Sequence, residues 1–268
     1  MKTGIPCAIC GNDTVQTHKR TVLGKYSATY IRCTFCGYWT VDDPHWLGEA
    51  YASAIAATDT GIIERNLWVA ERLEPILLDH TANGPYVDWA GGLGVLTRLM
   101  RDKGFDFYWS DPHAQNELAR GFEWAGVAET AVAQLVTAIE VLEHVPSPVD
   151  FVRDVQLQTS TNTLVFTQNT YDENTNEDWW YFSYETGQHI SFYSSRTLRI
   201  LGSMCGMNYY KVNGLHMLTT LSREISEYRI SRARNWLARR IAGRRDTRSL
   251  TWDDHLSVLG RLTDGDSA

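Results

Sequence analysis

The sequence predicts an α/β protein: a doubly wound, mostly parallel sheet with helices on both faces, carrying a small N-terminal cysteine module and a C-terminal helix. Three observations predict it. Strand-like and helix-like pieces alternate after Gly84-Pro85, two C-x2-C-G pairs lie near the N-terminus, and a glycine-rich turn, Ala90-Gly91-Gly92-Leu93-Gly94, joins the first strand-like piece to a helix-like one.

A chain of 268 residues is long enough for one full-sized domain plus an appendage. The expected divisions are a cysteine module over 1–45, a helical lead-in over 46–84, the main α/β domain over 85–222, and a basic helix with an acidic tail over 223–268. Hydrophobic residues at 43% and charged residues at 21% fit a globular chain. The formal net charge of -7 disfavours whole-molecule attraction to nucleic acid or anionic membrane. MKTGIPCAIC has no apolar run behind its lysine, and no stretch of about 18 apolar residues is present to span a bilayer. The expectation is a cytoplasmic protein, where paired cysteines hold metal more often than they form disulfides.

Cys7-Ala8-Ile9-Cys10-Gly11 and Cys33-Thr34-Phe35-Cys36-Gly37 are two such knuckles, with 22 residues between them. Four thiolates at that spacing suit a tetrahedral zinc, with the glycines easing the turns; a redox dithiol would need only one pair. With all four positions filled, the ion would be structural, in a zinc-ribbon-like module with β-prone pieces at Thr29 to Arg32 and Tyr38 to Val41. Cys205, on an apolar helix, reads as a small buried residue rather than a nucleophile.

From 46 to 80, Ile62, Leu67, Val69, Ala70, Leu73, Ile76 and Leu77 recur at helical spacing, and Ala82-Asn83-Gly84-Pro85 stops the helix. Strands are expected at Tyr86 to Trp89, Phe107 to Ser110, Leu135 to Ile139 and Thr163 to Thr167, with helices between them. A helix over Ser195 to Cys205 then leads to strands at Tyr209 to Val212 and His216 to Leu221.

Glycines at the first strand-to-helix turn let the backbone approach a nucleoside closely. Asp111, 17 residues after Gly94 and directly after the second strand, stands where a carboxylate can accept ribose hydroxyls. A dinucleotide fingerprint aligned on Gly92 and Gly94 would need a glycine where Thr97 stands. The order Asp88-Trp89-Ala90-Gly91-Gly92-Leu93-Gly94 instead resembles motif I of class I S-adenosylmethionine-dependent methyltransferases, with Ala90 in place of the first glycine. Glu140-Val141-Leu142-Glu143-His144 followed by Pro146 is similar to the segment after the fourth strand in that family. The resemblance covers roughly 86–210 and implies a Rossmann-like fold and S-adenosylmethionine as cofactor. It implies a site of Asp88, Ala90, Gly91, Gly92, Gly94, Asp111 and Glu140, with Asp88 near the amino end of the methionine moiety and Asp111 on the ribose. Only Glu123 and Glu129 are available as the acid beside the adenine.

Methyl transfer from a sulfonium needs alignment and, for a poor nucleophile, a base. His144 and His189 are the two candidates, each with a structural hydrogen-bonding role as the alternative. Gly187 to Ser194 resembles a stretch of methyltransferases in bacterial sugar and polysaccharide pathways. Zinc-bearing C-methyltransferases of deoxysugars carry two histidines around a glutamate there, of which this chain keeps only His189. Tyr51, Asp59, Arg65 and Asn66 are candidates for the acceptor-side cover, against an ordinary helix surface. The cluster Trp179 to Phe182 reads equally as a stacking platform or as core.

Eight arginines between Arg229 and Arg248 surround a weakly amphipathic helix. A solvated face, a phosphate contact and weak membrane-surface contact are the readings. The resulting expectation is methylation of a small molecule, a saccharide or nucleotide-sugar. The alternatives are an RNA methyltransferase gripping RNA through the cysteine module, and a non-catalytic cofactor-binding or assembly protein. Oligomeric state is not legible.

Overall fold

The computed structural model describes residues 2–51, 59–80, 84–221 and 248–263. Two sheets organise them. The first is antiparallel, formed by β1 (Lys2–Pro6), β2 (Asp13–Val22), β3 (Tyr26–Cys33) and β4 (Trp39–Asp42). The second runs through β5 (Tyr86–Trp89), β6 (Phe107–Ser110), β7 (Leu135–Ala138) and β8 (Thr163–Phe166). A two-residue strand, β9 (Ser191–Phe192), then pairs with β4 as the fifth strand of the first sheet. The chain returns to the second sheet as β10 (Asn208–Val212) and β11 (Leu215–Thr219).

The second sheet has the order β10-β11-β8-β7-β5-β6. Its β6, β5, β7 and β8 are mutually parallel, whereas β11 runs antiparallel to β8 and β10 antiparallel to β11. β7 and β8 bury every side chain, as strands covered on both faces must. The alternation assigns the faces. Tyr86, Phe107, Leu135, Val165 and Met217 meet Leu73, Ile76 and Leu77 of α2 (Ile62–His80) and Leu96 and Met100 of α3 (Val95–Asp102). Val87, Val136, Leu164, Phe166 and Leu218 meet Val152 and Val155 of α4 (Pro148–Thr159) and Leu198 and Leu201 of α5 (Ser195–Met204). Each such aliphatic side chain contributes about 1.5–3 kcal/mol by leaving water, so both helix layers are held firmly.

Two expectations need correction. No helix of four or more residues connects β6 to β7: that segment, with Pro112, Gly121 and Gly126 in it, forms only a single 3-10 turn at Trp124–Gly126. The lead-in is divided, with α1 (Leu47–Ala50), a single helical turn, ending well before α2. The helix at Thr251–Thr263 is docked on the α/β core. α6 (Thr251–Thr263) places Asp254 against Arg101 (2.8 Å from each of two guanidinium nitrogens) and Arg98 (2.7 Å), while Arg261 donates to the Gly121 carbonyl. The basic stretch from Arg229 to Arg245, with its apolar stripe, lies outside the described residues. Among the described residues no helix is long and apolar enough to cross a membrane.

The cysteine module is tied to the α/β core. Cys7, Ile9, Cys33, Cys36 and Tyr38 share a core with α4 and α5. Thr197 at the start of α5 donates to the Cys36 carbonyl at 3.0 Å, and the Tyr171 hydroxyl donates to the Gly37 carbonyl. β9 carries the most consequential link, because it lies two residues beyond His189.

Candidate active site

β5 and β7 are hydrogen-bonded neighbours, Asp88 lying opposite Thr137, so the turns leaving their carboxyl ends lie side by side. Open parallel sheets bind ligands at that edge. After β5 comes the glycine turn. Gly94 sits at φ 82°, and a Cβ there would stand 2.9 Å from Asn116 Oδ1. A Cβ on Gly91 would lie 2.8 Å from Asp88 Oδ2. Both positions therefore require glycine. Ala90, at φ 55°, occupies the same left-handed region at a cost of about 1–2 kcal/mol, which explains why the resembling motif has glycine there.

The Gly92 amide donates to Asp111 Oδ2 at 2.9 Å, while the amides of His113 and Ala114 donate to Oδ1 at 2.7 and 3.1 Å. Three of roughly four acceptor positions on this carboxylate are thus used in fixing the turn, and the remainder is available to a ligand hydroxyl. Asp88 lies beneath the turn, 2% exposed, accepting from Thr137 Oγ1 at 2.9 Å and Thr97 Oγ1 at 3.1 Å. Burial raises its pKa to about 6 against the opposing pull of those hydroxyls. Thr97, the residue that spoils a dinucleotide fingerprint, is here a partner of Asp88. Glu123 is held by Asn116 Nδ2 at 2.6 Å.

After β7 the chain turns through Glu140, at φ 55°, whose carboxylate accepts from Thr167 at 2.7 Å. Glu143 follows, wholly buried. The Tyr181 hydroxyl donates to its Oε1 at 2.8 Å, and Oε2 has no hydrogen-bond partner among the described residues. Burial and then the neighbouring Glu140 charge push Glu143 up to about 7. His144 Nδ1 lies 3.1 Å from the Gln188 carbonyl, and His189 Nδ1 lies 2.7 Å from the Tyr181 carbonyl. A carbonyl only accepts, so each Nδ1 carries the proton and each Nε2 keeps its lone pair. Burial lowers both imidazoles below their ordinary value, which favours this neutral form. The two rings meet edge to face, centroids 5.0 Å apart.

The segment bearing His189 is clamped from two sides. The Ile190 amide donates to the Glu143 carbonyl at 2.8 Å, and the Val41 amide and Thr40 hydroxyl donate to the Ile190 carbonyl at 3.1 and 2.8 Å. The N-terminal sheet thereby sets the position of one candidate base.

The structure brings most of the expected acceptor residues to this place. Tyr51 meets His144 edge to face at 5.8 Å and donates to the Gln188 carbonyl at 3.3 Å. Arg65 pairs with Asp59 through two hydrogen bonds of 2.9 and 2.7 Å, near enough to Glu140 and Glu143 to feel both charges. Asn66 is buried and donates to the Ile62 carbonyl within its own helix, an internal role. Of the aromatic cluster, Tyr181 and Phe182 are core and Trp179 packs against it, whereas Trp180 is 72% exposed. The sequence marked Tyr181 only as part of that aromatic cluster, not as a partner of Glu143, and did not mark Thr167 at all; neither belongs to a local motif.

The four cysteines also converge. One sulfur from each lies within 4.8 Å of the others, with Cys7–Cys36 and Cys10–Cys33 at 3.5 Å. Tetrahedral ligation at about 2.3 Å requires sulfurs about 3.8 Å apart, so the set fits such an ion. The amides of Ile9, Phe35 and Tyr38 point at Cys7, Cys33 and Cys36 sulfurs at 3.4 Å, stabilising thiolates. Cys205, by contrast, is half-buried at the end of α5, and burial pushes its thiol up.

A family model described as a methyltransferase domain matches residues 64–212. No curated protein matches the chain. Among solved structures, TnmH is similar at 16% identity and a TM-score of 0.47, over 65% of this chain and 60% of that one. An SAH-bound methyltransferase of calicheamicin biosynthesis is similar at 13% and 0.45, over 65% and 59%. The SAH-bound magnesium protoporphyrin IX methyltransferase of Synechocystis PCC 6803 is similar at 10% and 0.41, over 65% and 91%. The match spans about six tenths of the length of the first two of these proteins.

Proposed function

The chain belongs to the methyltransferase-domain family, and on that premise we propose that it is an S-adenosylmethionine-dependent methyltransferase that methylates a hydroxyl of a small acceptor, a saccharide or nucleotide-sugar. The observation that carries this reading is the convergence, at the carboxyl ends of β5 and β7, of the Asp111-closed glycine turn with the two unprotonated Nε2 atoms of His144 and His189.

S-adenosylmethionine supplies a methyl group on a positively charged sulfur. The backbone around Gly92 would cradle its nucleoside and Asp111 would accept a ribose hydroxyl, with Asp88 buried below. Glu140, its backbone held left-handed beside Thr167, would border the cofactor on the β7 side. His144 and His189 offer lone pairs to an acceptor hydroxyl and orient its oxygen toward the methyl carbon. Tyr51 and the Asp59–Arg65 pair would form the rim on the acceptor side. Exposed Trp180, its ring 5.4 Å from that of Tyr181, offers an apolar face of the kind that stacks on a sugar ring and so supports a ring-bearing acceptor.

The four cysteines would hold zinc as a structural crosslink between the turns after β1 and β3. Zinc would then act on chemistry only through β9 and His189. Removing it with a strong chelator is expected to lower turnover more than S-adenosylhomocysteine affinity, read by assay and calorimetry on the same samples.

Radiolabelled S-adenosylmethionine, incubated with the protein and a panel of hydroxyl-bearing saccharides and nucleotide-sugars, tests the acceptor class. Label is expected to pass to a saccharide hydroxyl, with His189→Ala lowering the rate by about 100-fold or more. Transfer to RNA alone, or to no acceptor while cofactor binds, contradicts the reading.

A further inference from the structure

We infer that Glu143, His144 and His189 form a binding site for a divalent transition-metal cation, and that the acceptor oxygen is presented to the methyl group as a ligand of that cation. The inference rests on the reading of this place as the acceptor side of a methyltransferase, and deepens it: the Nε2 lone pairs of His144 and His189 hold the acceptor oxygen through the cation in place of direct hydrogen bonds.

The first ground is convergence: one ligand-capable atom from each of the three side chains lies within 4.8 Å of the others. The second is an unsatisfied atom. Glu143 is wholly buried, yet its Oε2 has no hydrogen-bond partner among the described residues, while Oε1 is engaged by Tyr181. Burying an unpartnered carboxylate oxygen costs several kcal/mol unless something positive meets it.

The third ground is the way the imidazoles are held. Each donates Nδ1–H to a backbone carbonyl, of Gln188 for His144 and of Tyr181 for His189, which fixes the tautomer with the Nε2 lone pair free. Metal-bound histidines are oriented in the same manner, their second nitrogen tied to a carbonyl or carboxylate. The fourth is charge. Glu140 adds a second carboxylate to the field at Glu143, and the guanidinium of Arg65 is already paired twice with Asp59. A cation supplies what the protein leaves out.

Two imidazoles and one carboxylate suit manganese, iron, cobalt or zinc better than magnesium or calcium, which favour oxygen ligands throughout. Three protein ligands leave open positions, so an acceptor hydroxyl can enter. Bound there, the hydroxyl loses its proton to water. A lone pair of the resulting oxyanion forms the bond to the methyl carbon as the bond from that carbon to sulfur breaks. The breaking pair returns to sulfur, leaving a neutral thioether. The cation keeps its oxidation state throughout, so no redox partner is needed. The cysteine cluster is separate, and its soft thiolates favour other ions than Mn2+.

The test uses the full chain with its cysteine site loaded with zinc, titrated with Mn2+ alone while free Mn2+ is followed by electron paramagnetic resonance. One saturable site per chain is expected, weakened at least about tenfold in Glu143→Gln and in His189→Gln. S-adenosylhomocysteine affinity, measured by calorimetry on the same samples, is expected to stay unchanged, which also shows that the variants are folded. If Glu143→Gln does not fold, His189→Gln carries the test. No saturable Mn2+ binding, or binding indifferent to both substitutions, with S-adenosylhomocysteine still bound, overturns the cation and leaves the methyltransferase reading standing. Failure of the wild-type chain to bind S-adenosylhomocysteine strikes that reading instead.

Discussion

The backbone carbonyl of Tyr181 accepts the Nδ1–H of His189 at 2.7 Å, while the phenol of the same tyrosine donates to Glu143 at 2.8 Å. One residue therefore sets both an imidazole and a carboxylate, through different parts of itself. Replacing Tyr181 with phenylalanine keeps the carbonyl and removes only the phenol. Glu143 Oε1 would then lose its hydrogen bond in a buried setting, a cost of about 1–3 kcal/mol. Tyr181→Phe is expected to lower the urea midpoint accordingly and to reduce kcat, with little change in S-adenosylhomocysteine affinity. An unchanged midpoint would show that the phenol does not support Glu143.

Asp88 gives a pH dependence whose sign is fixed by burial. Its pKa is raised from the ordinary 3.8 to about 6, so between those values the folded carboxyl keeps a proton that the unfolded one has released. Its stabilising contribution is complete below about pH 4 and is lost as pH rises through 6. Two pKa units correspond to about 3 kcal/mol, an upper bound for the loss. Asp88→Asn removes this titration, so stability measured from pH 4 to 7 should fall less steeply in the variant than in the wild type. Parallel curves would contradict the assignment.

The C-terminal helix is held by a buried ion cluster. Burial alone would raise Asp254, but hydrogen bonds from Arg101 and Arg98 outweigh it and hold the carboxyl below its ordinary value. Its stabilisation is present above the unfolded aspartate value of about 3.9 and is lost as pH falls through the lowered folded value. Asp254→Ala leaves the buried guanidinium of Arg101 with Asp106 as its remaining acidic partner, and is expected to cost about 3 kcal/mol at pH 7. Chemical denaturation measures it, and a cost near zero would mean that α6 is not anchored there.

The strands of the second sheet were legible because short β-prone apolar runs bounded by turn residues, and the Gly-Pro stop, are local signals. Tyr86 to Trp89 and Phe107 to Ser110 match the expected bounds, and the other four fall within two residues of theirs. The pairing of β9 with β4 was not legible, since two residues carry no periodicity and the partner lies about 150 positions away. The irregular path from β6 to β7 was hidden for a similar reason: Trp109 forms a parallel bridge with Glu123, its amide donating to the Phe122 carbonyl, which depends on the sheet edge, not on propensity. In the site, Asp88, Asp111, Glu143 and the two histidines stood out because they follow strands or glycines in short motifs. Tyr181 and Thr167 did not, because their roles are hydrogen bonds to carboxylates on a distant turn.

Cofactor binding here requires a nucleoside to rest against the turn that Asp111 closes. Calorimetric titration with S-adenosylhomocysteine, on the wild type and on Asp111→Ala, measures this directly. One ligand per chain is predicted for the wild type, with affinity at least about tenfold weaker in the variant, since the substitution removes both the ribose acceptor and three amide contacts. No heat of binding to the wild type, or equal affinity in the two proteins, would contradict it.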